Sequence, residues 1–295
     1  MSNDVVRDRF LAIMQSKLYT QFNAEETAKL HGELSVFLQY NEVSIKETDY
    51  LSLCEMLFYL CVYLSKDVDA QIIYNSLRDR LGENSAKLQV MNATLLQINE
   101  NDTIASKYLE KLIRDSYEYD SDSRSYLIVA KKLLSLKIGK LSNENEILKE
   151  LISLVEKFPL DAELWCYMGE IYWKMGQLSR SIYCFEEVLV IMPFNYVIFS
   201  RIAELYYYKA RRLDKGKQKM EESLNKGLKN ALRSGELSES YLKGWSLVAT
   251  ISKLLGDKKD VLNVATKRLV EISKISNEKD KITAEYILDQ LSLKK

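Results

Sequence analysis

The chain has 295 residues, with ten glycines, two prolines, and 42 basic residues balanced by 42 acidic ones. So few turn residues exclude collagen-like, β-rich and proline-rich disordered chains, which need Gly and Pro far more often. Zero net charge and one histidine leave little material for a dedicated nucleic-acid binder, a multi-histidine zinc site or an H-E-x-x-H protease.

Residues 3–18 carry Val6, Phe10, Ile13 and Met14 at helical spacing, which predicts a first helix. Asp4, Arg7, Asp8 and Arg9 fall in the same stretch, so it does not read as a signal peptide. Asn23, followed three residues later by Glu26, has the form of a capping box for a second helix through Gln39. His31 lies in that helix without a nucleophile and orienting carboxylate beside it, and reads as structural. Further on, Cys54, Leu57, Phe58 and Cys61 pair with Ala70, Tyr74 and Leu77. Ala93 and Leu96 pair with Ala105, Leu109 and Leu112. Tyr126, Val129, Ala130 and Leu133 pair with Ile147, Leu151 and Leu154 across a long turn at 139–145.

The strongest unit comes next. Pro159 and Pro193 are followed at the same distance by Asp161 and Asn195, both N-cap residue types. Between them, Trp165, Met168, Gly169 and Tyr172, then Ser181 and Phe185, fill the slots of a 34-residue tetratricopeptide repeat. Trp165, Met168 and Tyr172 are expected on the inner face of its first helix, with Trp165 filling the junction. Ser181, Phe185 and Val188 are expected opposite, with Gly169 allowing close approach and Gly176 in the turn.

Phe199, Ile202, Ala203 and Tyr206 open another unit, whose second helix is displaced by a basic insertion at 211–219. Leu242, Trp245, Val248 and Ala249 open one more. A last helix, 277–293, carries Ile282, Tyr286 and Leu288. The fold class is therefore all-α: a tetratricopeptide-repeat solenoid, a right-handed superhelix of helix pairs with helical caps at both ends. Residues 1–48 form the N-terminal cap, 49–270 one continuous repeat array with its best unit at 162–195, and 271–295 the C-terminal capping helix.

Such solenoids bind in the groove lined by their first helices. Spacing puts Glu163, Cys166, Glu170, Trp173 and Lys174 there from one unit, and Val197, Ser200, Glu204, Tyr207 and Tyr208 from the next. Trp173 and Tyr207 are the expected anchors, since rigid aromatics dominate binding hot spots. A carboxylate-clamping chaperone adaptor would put Lys and Asn where Cys166 and Glu170 stand. From Lys209 to Arg233 there are nine basic and three acidic residues. Arg211, Arg212, Lys215, Lys217 and Lys219 are the candidate membrane-facing patch within it. The four cysteines form no C-x-x-C pair and read as reduced thiols. No phosphate-binding glycine motif, metal cluster or catalytic set is present, so neither enzyme activity nor a cofactor, metal, nucleic acid or small-molecule substrate is expected. The longest uncharged run, 188–200, is broken by Pro193 and Asn195 and is too short to span a bilayer.

The segments FPLDAELWCYMGEIYWKMGQLSRSIYCFEEVLVIMPFNY, DVDAQIIYNSLRDRLGENS and NALRSGELSESYLKGW closely resemble fungal members of the family of subunit 2 of the endoplasmic reticulum membrane protein complex. The second and third segments fill no obligatory repeat slot and so carry the likeness to this family in particular. The resemblance implies a non-catalytic scaffold, peripheral on the cytosolic face of the endoplasmic reticulum membrane. Its partners would be the other subunits, through cytosolic segments of the membrane-embedded ones, in an assembly that inserts transmembrane and tail-anchored proteins. The alternative is a tetratricopeptide adaptor of another assembly, in RNA processing or chaperone docking.

Overall fold

The computed structural model describes residues 3–41, 45–82, 84–138, 143–212, 216–275 and 278–292. Among these the secondary structure is helical, without a strand. The chain divides into two compact units, Met1–Ser142 and Asn143–Lys295.

The first unit holds α1 (Asn3–Gln15), a 3-10 turn (Leu18–Gln21), α2 (Ala24–Asn41), α3 (Glu47–Tyr63), α4 (Asp67–Leu81), α5 (Ala86–Asn99), α6 (Asp102–Ser116) and α7 (Arg124–Ile138). The capping box at the start of α2 is reciprocal. Asn23 Oδ1 accepts from the Glu26 amide at 2.9 Å, and Glu26 Oε2 accepts from the Asn23 amide at 3.0 Å. Phe10 packs against Phe37, ring centroids 5.3 Å apart, which fixes α1 on α2. Cys54, Phe58 and Cys61 of α3 and Ala70 and Leu77 of α4 are buried at the expected spacing.

The second unit holds α8 (Glu144–Lys157), α9 (Ala162–Lys174), α10 (Leu178–Ile191), α11 (Tyr196–Arg211), α12 (Lys217–Leu237), α13 (Leu242–Leu255), α14 (Lys259–Ile275) and α15 (Glu278–Ser292). The unit boundary falls between α7 and α8, inside the helix pair that the sequence reads as one repeat. Of the 139–145 turn, residues 139–142 lie outside the described residues; Asn143 caps α8, its side chain accepting from the Asn145 amide. Asp161 and Asn195 cap α9 and α11 in the same way, accepting from Leu164 N at 2.9 Å and Ile198 N at 3.3 Å.

Within the α9–α10 hairpin, Ser181, Phe185 and Val188 are buried as expected. A β-carbon on Gly169 would sit 3.0 Å from the Phe185 ring, so glycine allows the close crossing of the two helices. Ser181 Oγ donates to the Gly169 carbonyl at 2.8 Å and ties the two helices together. Gly176 turns the chain at φ +74° and Gly256 does so at φ +76°, both in the left-handed region that suits glycine.

One core expectation is corrected. Trp165 does not fill the junction: it is half-buried, edge-on to Tyr183, and the buried face of α9 is Leu164, Met168 and Ile171. Of the apolar residues noted in the last helix, Leu288 packs inward with Ala284, Ile287 and Leu291, while Ile282 and Tyr286 are exposed. That helix carries apolar residues on more than one side, so spacing alone did not choose its buried face.

The basic insertion proves to be a longer hairpin. Asp161 to Asn195 is 34 residues, whereas Asn195 to Tyr241 is 46. The difference of 12 divides into three extra residues in α11, seven in α12 and two in the turn between them. Both helices lengthen at the turn end, so the hairpin extends there past the α9–α10 turn.

Candidate groove and basic turn surface

Periodicity alone sets the candidate groove residues along one face of α9 and one face of α11. Folding joins them through charge. Arg201 Nη2 lies 2.8 Å from Glu170 Oε1, linking α11 to α9, and Nη1 lies 2.9 Å from Glu204 Oε2. Lys243 Nζ reaches the same Glu204 oxygen at 2.7 Å, linking α13 to α11. Burial opposes the charged form of Arg201, yet Glu204 and Glu170 together hold its pKa above the ordinary value. Two carboxylates and two cations thus lock three consecutive first helices across one face.

Trp173 belongs to this lock. The Arg201 guanidinium stands over its indole, 4.3 Å from the centroid, and Tyr208 packs beside it at 6.4 Å. Tyr207 contacts Tyr208 ring-to-ring at 5.5 Å, and its hydroxyl accepts from Arg211 Nη1 at 3.1 Å. Tyr207 and Arg211 also line a cavity of about 680 Å³ together with Leu224, Lys253, Tyr286 and Leu291. Lys253 donates to the carbonyls of Gln290 and Leu291, closing the C-terminal end of α15.

Glu163, Lys174, Val197 and Tyr208 are exposed, and Cys166 is half-buried, its thiol pKa raised by burial and then by Glu170. Ser200 corrects the expected lining. It is 0 % exposed, and its hydroxyl donates to Val197 O at 2.7 Å, so it supports the groove from below. Arg201 and Lys243 were missed. Lys243 occupies the slot of Glu163 and Val197 one repeat later, a match hidden by the 46-residue spacing. Arg201 follows the groove slot of Ser200, and its long side chain swings back onto the face.

The basic patch is not one uniform surface. Arg211 is tied to Tyr207, and Arg212 Nη1 donates to Gly176 O at 3.0 Å. Lys217 lies 3.9 Å from Glu221, and Lys219 is exposed in the first turn of α12. Lys215 lies outside the described residues.

His31 sits in the first unit between two polar groups. Its Nδ1 is 3.4 Å from Lys66 Nζ and its Nε2 is 3.5 Å from Cys61 Sγ. An ammonium can only donate, so Nδ1 accepts, and the ring proton sits on Nε2, facing the sulfur. Burial pushes the Cys61 thiol up to about 11. A protonated thiol beside a neutral imidazole is a packing contact, not an activated nucleophile.

The tetratricopeptide repeat family model matches residues 162–195. Over 294 residues the chain is 51 % identical to ER membrane protein complex subunit 2 of Saccharomyces cerevisiae, covering 99 % of this chain and 100 % of that protein. It is 25 % identical to the TPR repeat protein oca3 of Schizosaccharomyces pombe over 82 % of this chain and 79 % of the relative. Among solved structures, the C-terminal part of a TPR repeat-containing protein from Cytophaga hutchinsonii superposes with a TM-score of 0.50 at 12 % identity, covering 94 % of this chain and 98 % of that one. That likeness speaks to the fold.

Proposed function

Because the chain belongs to the family of subunit 2 of the endoplasmic reticulum membrane protein complex, we propose that it is a non-catalytic scaffold subunit of that complex. It works on the cytosolic face, binding cytosolic segments of the membrane-embedded subunits and so supporting insertion of transmembrane and tail-anchored proteins. The observation that carries this reading is the end-to-end match at 51 % identity, which leaves no part of the relative unaccounted for. In this reading residues 1–48 and 271–295 cap the repeat array of 49–270.

The groove supports a binding role. Its ion pairs hold α9, α11 and α13 in place before any partner arrives, so little ordering remains to be done on association. Trp173 and Tyr207 are the anchors, and the exposed Glu163, Lys174 and Val197 form the surrounding rim. No helix among the described residues is long and apolar enough to cross a membrane. Attachment therefore runs through partners, with Arg212, Lys217 and Lys219 adding attraction to anionic headgroups of about 1 kcal/mol per residue close to the surface.

The test is affinity purification of the tagged chain from detergent-solubilised microsomes, compared with Trp173→Ala/Tyr207→Ala. The membrane subunits are expected to co-purify with the parent chain and to be depleted from the double variant at unchanged helicity. Recovery of soluble partners alone would place the chain in another assembly. Undiminished recovery with the double variant would remove Trp173 and Tyr207 as anchors.

A further inference from the structure

The extended α11–α12 hairpin creates a second feature, at the turn end of the unit. Arg212 reaches back to the α9–α10 turn, donating to Gly176 O. Lys209 Nζ donates to Ser179 Oγ at 3.0 Å, and Arg180 Nη1 to Gln177 Oε1 at 2.7 Å. Together these residues line a cleft of about 500 Å³. Among the described residues no Asp or Glu lines it, and none of its three cations is in an ion pair. All three donate to neutral acceptors, and the Arg180 guanidinium also stands over the Tyr172 ring, 5.7 Å from its centroid. In the groove of the same unit, by contrast, Arg201 and Lys243 are paired with Glu170 and Glu204.

We propose that the cleft between the α9–α10 turn and the end of α11 binds a phosphomonoester through Arg180, Lys209 and Arg212. Among the described residues the cleft presents three cations and no carboxylate, so a dianion placed there meets only positive charge and neutral donors. Two of the three are guanidinium groups, whose planar forks match phosphate oxygens. Each spends one donor on a neutral acceptor and keeps others for a ligand. The first turn of α10 adds backbone donors, because Gln177 caps it without a side-chain hydrogen bond. The phosphomonoester could be free in solution or be the headgroup of a phosphoinositide. The inference does not depend on membership of the membrane complex.

The test titrates the 15N-labelled 295-residue chain with sodium phosphate against sodium chloride at matched ionic strength. Saturable shifts of the Gly176, Ser179 and Arg180 amides are expected with phosphate alone. Arg180→Gln/Arg212→Gln should weaken binding at least tenfold with an unchanged circular dichroism spectrum. Lys209→Gln, which leaves the Arg212 contact with the turn intact, should weaken it in the same direction. Shifts that fail to saturate, that chloride reproduces, or that persist in these variants would overturn the site. Once binding is seen, co-sedimentation with phosphatidylcholine vesicles containing phosphatidylinositol 4-phosphate, lost in the double variant, assigns the lipid headgroup. Absence of co-sedimentation while phosphate binds assigns a soluble ligand.

Discussion

The guanidinium of Arg201 stands 4.3 Å from the centroid of the Trp173 indole, so the largest aromatic of the groove is buttressed by the next first helix. Arg201 also bridges Glu170 and Glu204. One side chain therefore orients the aromatic anchor and sets the spacing of α9 and α11. A groove built this way presents Trp173 in one orientation.

Arg201→Ala should destabilise the second unit by about 1–3 kcal/mol, because its charge-assisted hydrogen bonds are lost and the partly buried Glu170 loses its Arg201 partner, while Glu204 keeps Lys243. A double-mutant cycle with Trp173→Leu should show a coupling of about 0.5–1 kcal/mol from the cation–π contact. Urea unfolding of the four proteins measures both. Additive single effects would mean that Arg201 and Trp173 act independently.

The repeat itself could be read from the sequence because its signals are local. Asp161 and Asn195 announce their helices, and Ser181, Phe185 and Val188 fall on one stripe regardless of what lies further away. The groove was legible only in part. Helical spacing assigns Glu170 and Glu204 to one face, but their ion-pair partners Arg201 and Lys243 depend on how neighbouring repeats align. That alignment is obscured by the 12 extra residues of the α11–α12 hairpin. Arg180 was invisible as a partner of Lys209 and Arg212 for the same reason: it lies one repeat away, across a turn. The misplaced Trp165 shows the opposite limit. A slot can be filled by the expected residue and still leave part of its ring in solvent, as Trp165 does.

Two glycine substitutions should move stability in opposite directions. Gly169→Ala puts a β-carbon 3.0–3.2 Å from the fully buried ring of Phe185, which must shift within a packed core, and should cost about 1–3 kcal/mol. Gly32→Ala, on an exposed face of α2 with nothing within 4 Å, should gain about 0.5–1 kcal/mol from helix propensity. Thermal or urea midpoints of the two variants check the pair, and stabilisation by Gly169→Ala would contradict the close crossing of α9 and α10.

His31 should make the first unit sensitive to mild acid. Burial and then Lys66 lower its pKa below the ordinary 6.5, with Asp69 opposing. The unfolded chain therefore takes up the proton first as pH falls. The contribution of neutral His31 is fully present above about 6.5 and is lost as pH drops through the folded value. Imidazole resonances should report a midpoint below 6.5, and His31→Gln should flatten the decline of stability between pH 7 and 5. A midpoint above 6.5 would show that Asp69 dominates the site.

Trp165 and Trp245 fill the same repeat slot and make the same bond, from Nε1 to the carbonyl six residues upstream: Pro159 at 2.8 Å and Glu239 at 2.9 Å. Their burial differs. Trp245 is 7 % exposed and lies so close to Gly235 that a β-carbon there would sit 2.9 Å from the ring, whereas Trp165 is only half-buried against Tyr183. Trp245→Ala should therefore leave a cavity costing about 3–5 kcal/mol. Trp165→Ala should cost less, since water already reaches part of its ring and can replace some of what is lost. Repeats couple most strongly to their neighbours, so faster hydrogen exchange should centre on 220–270 in the first variant and on 160–200 in the second. Equal losses, or exchange that rises uniformly along the chain, would show that burial at this slot does not set the stability of its repeat.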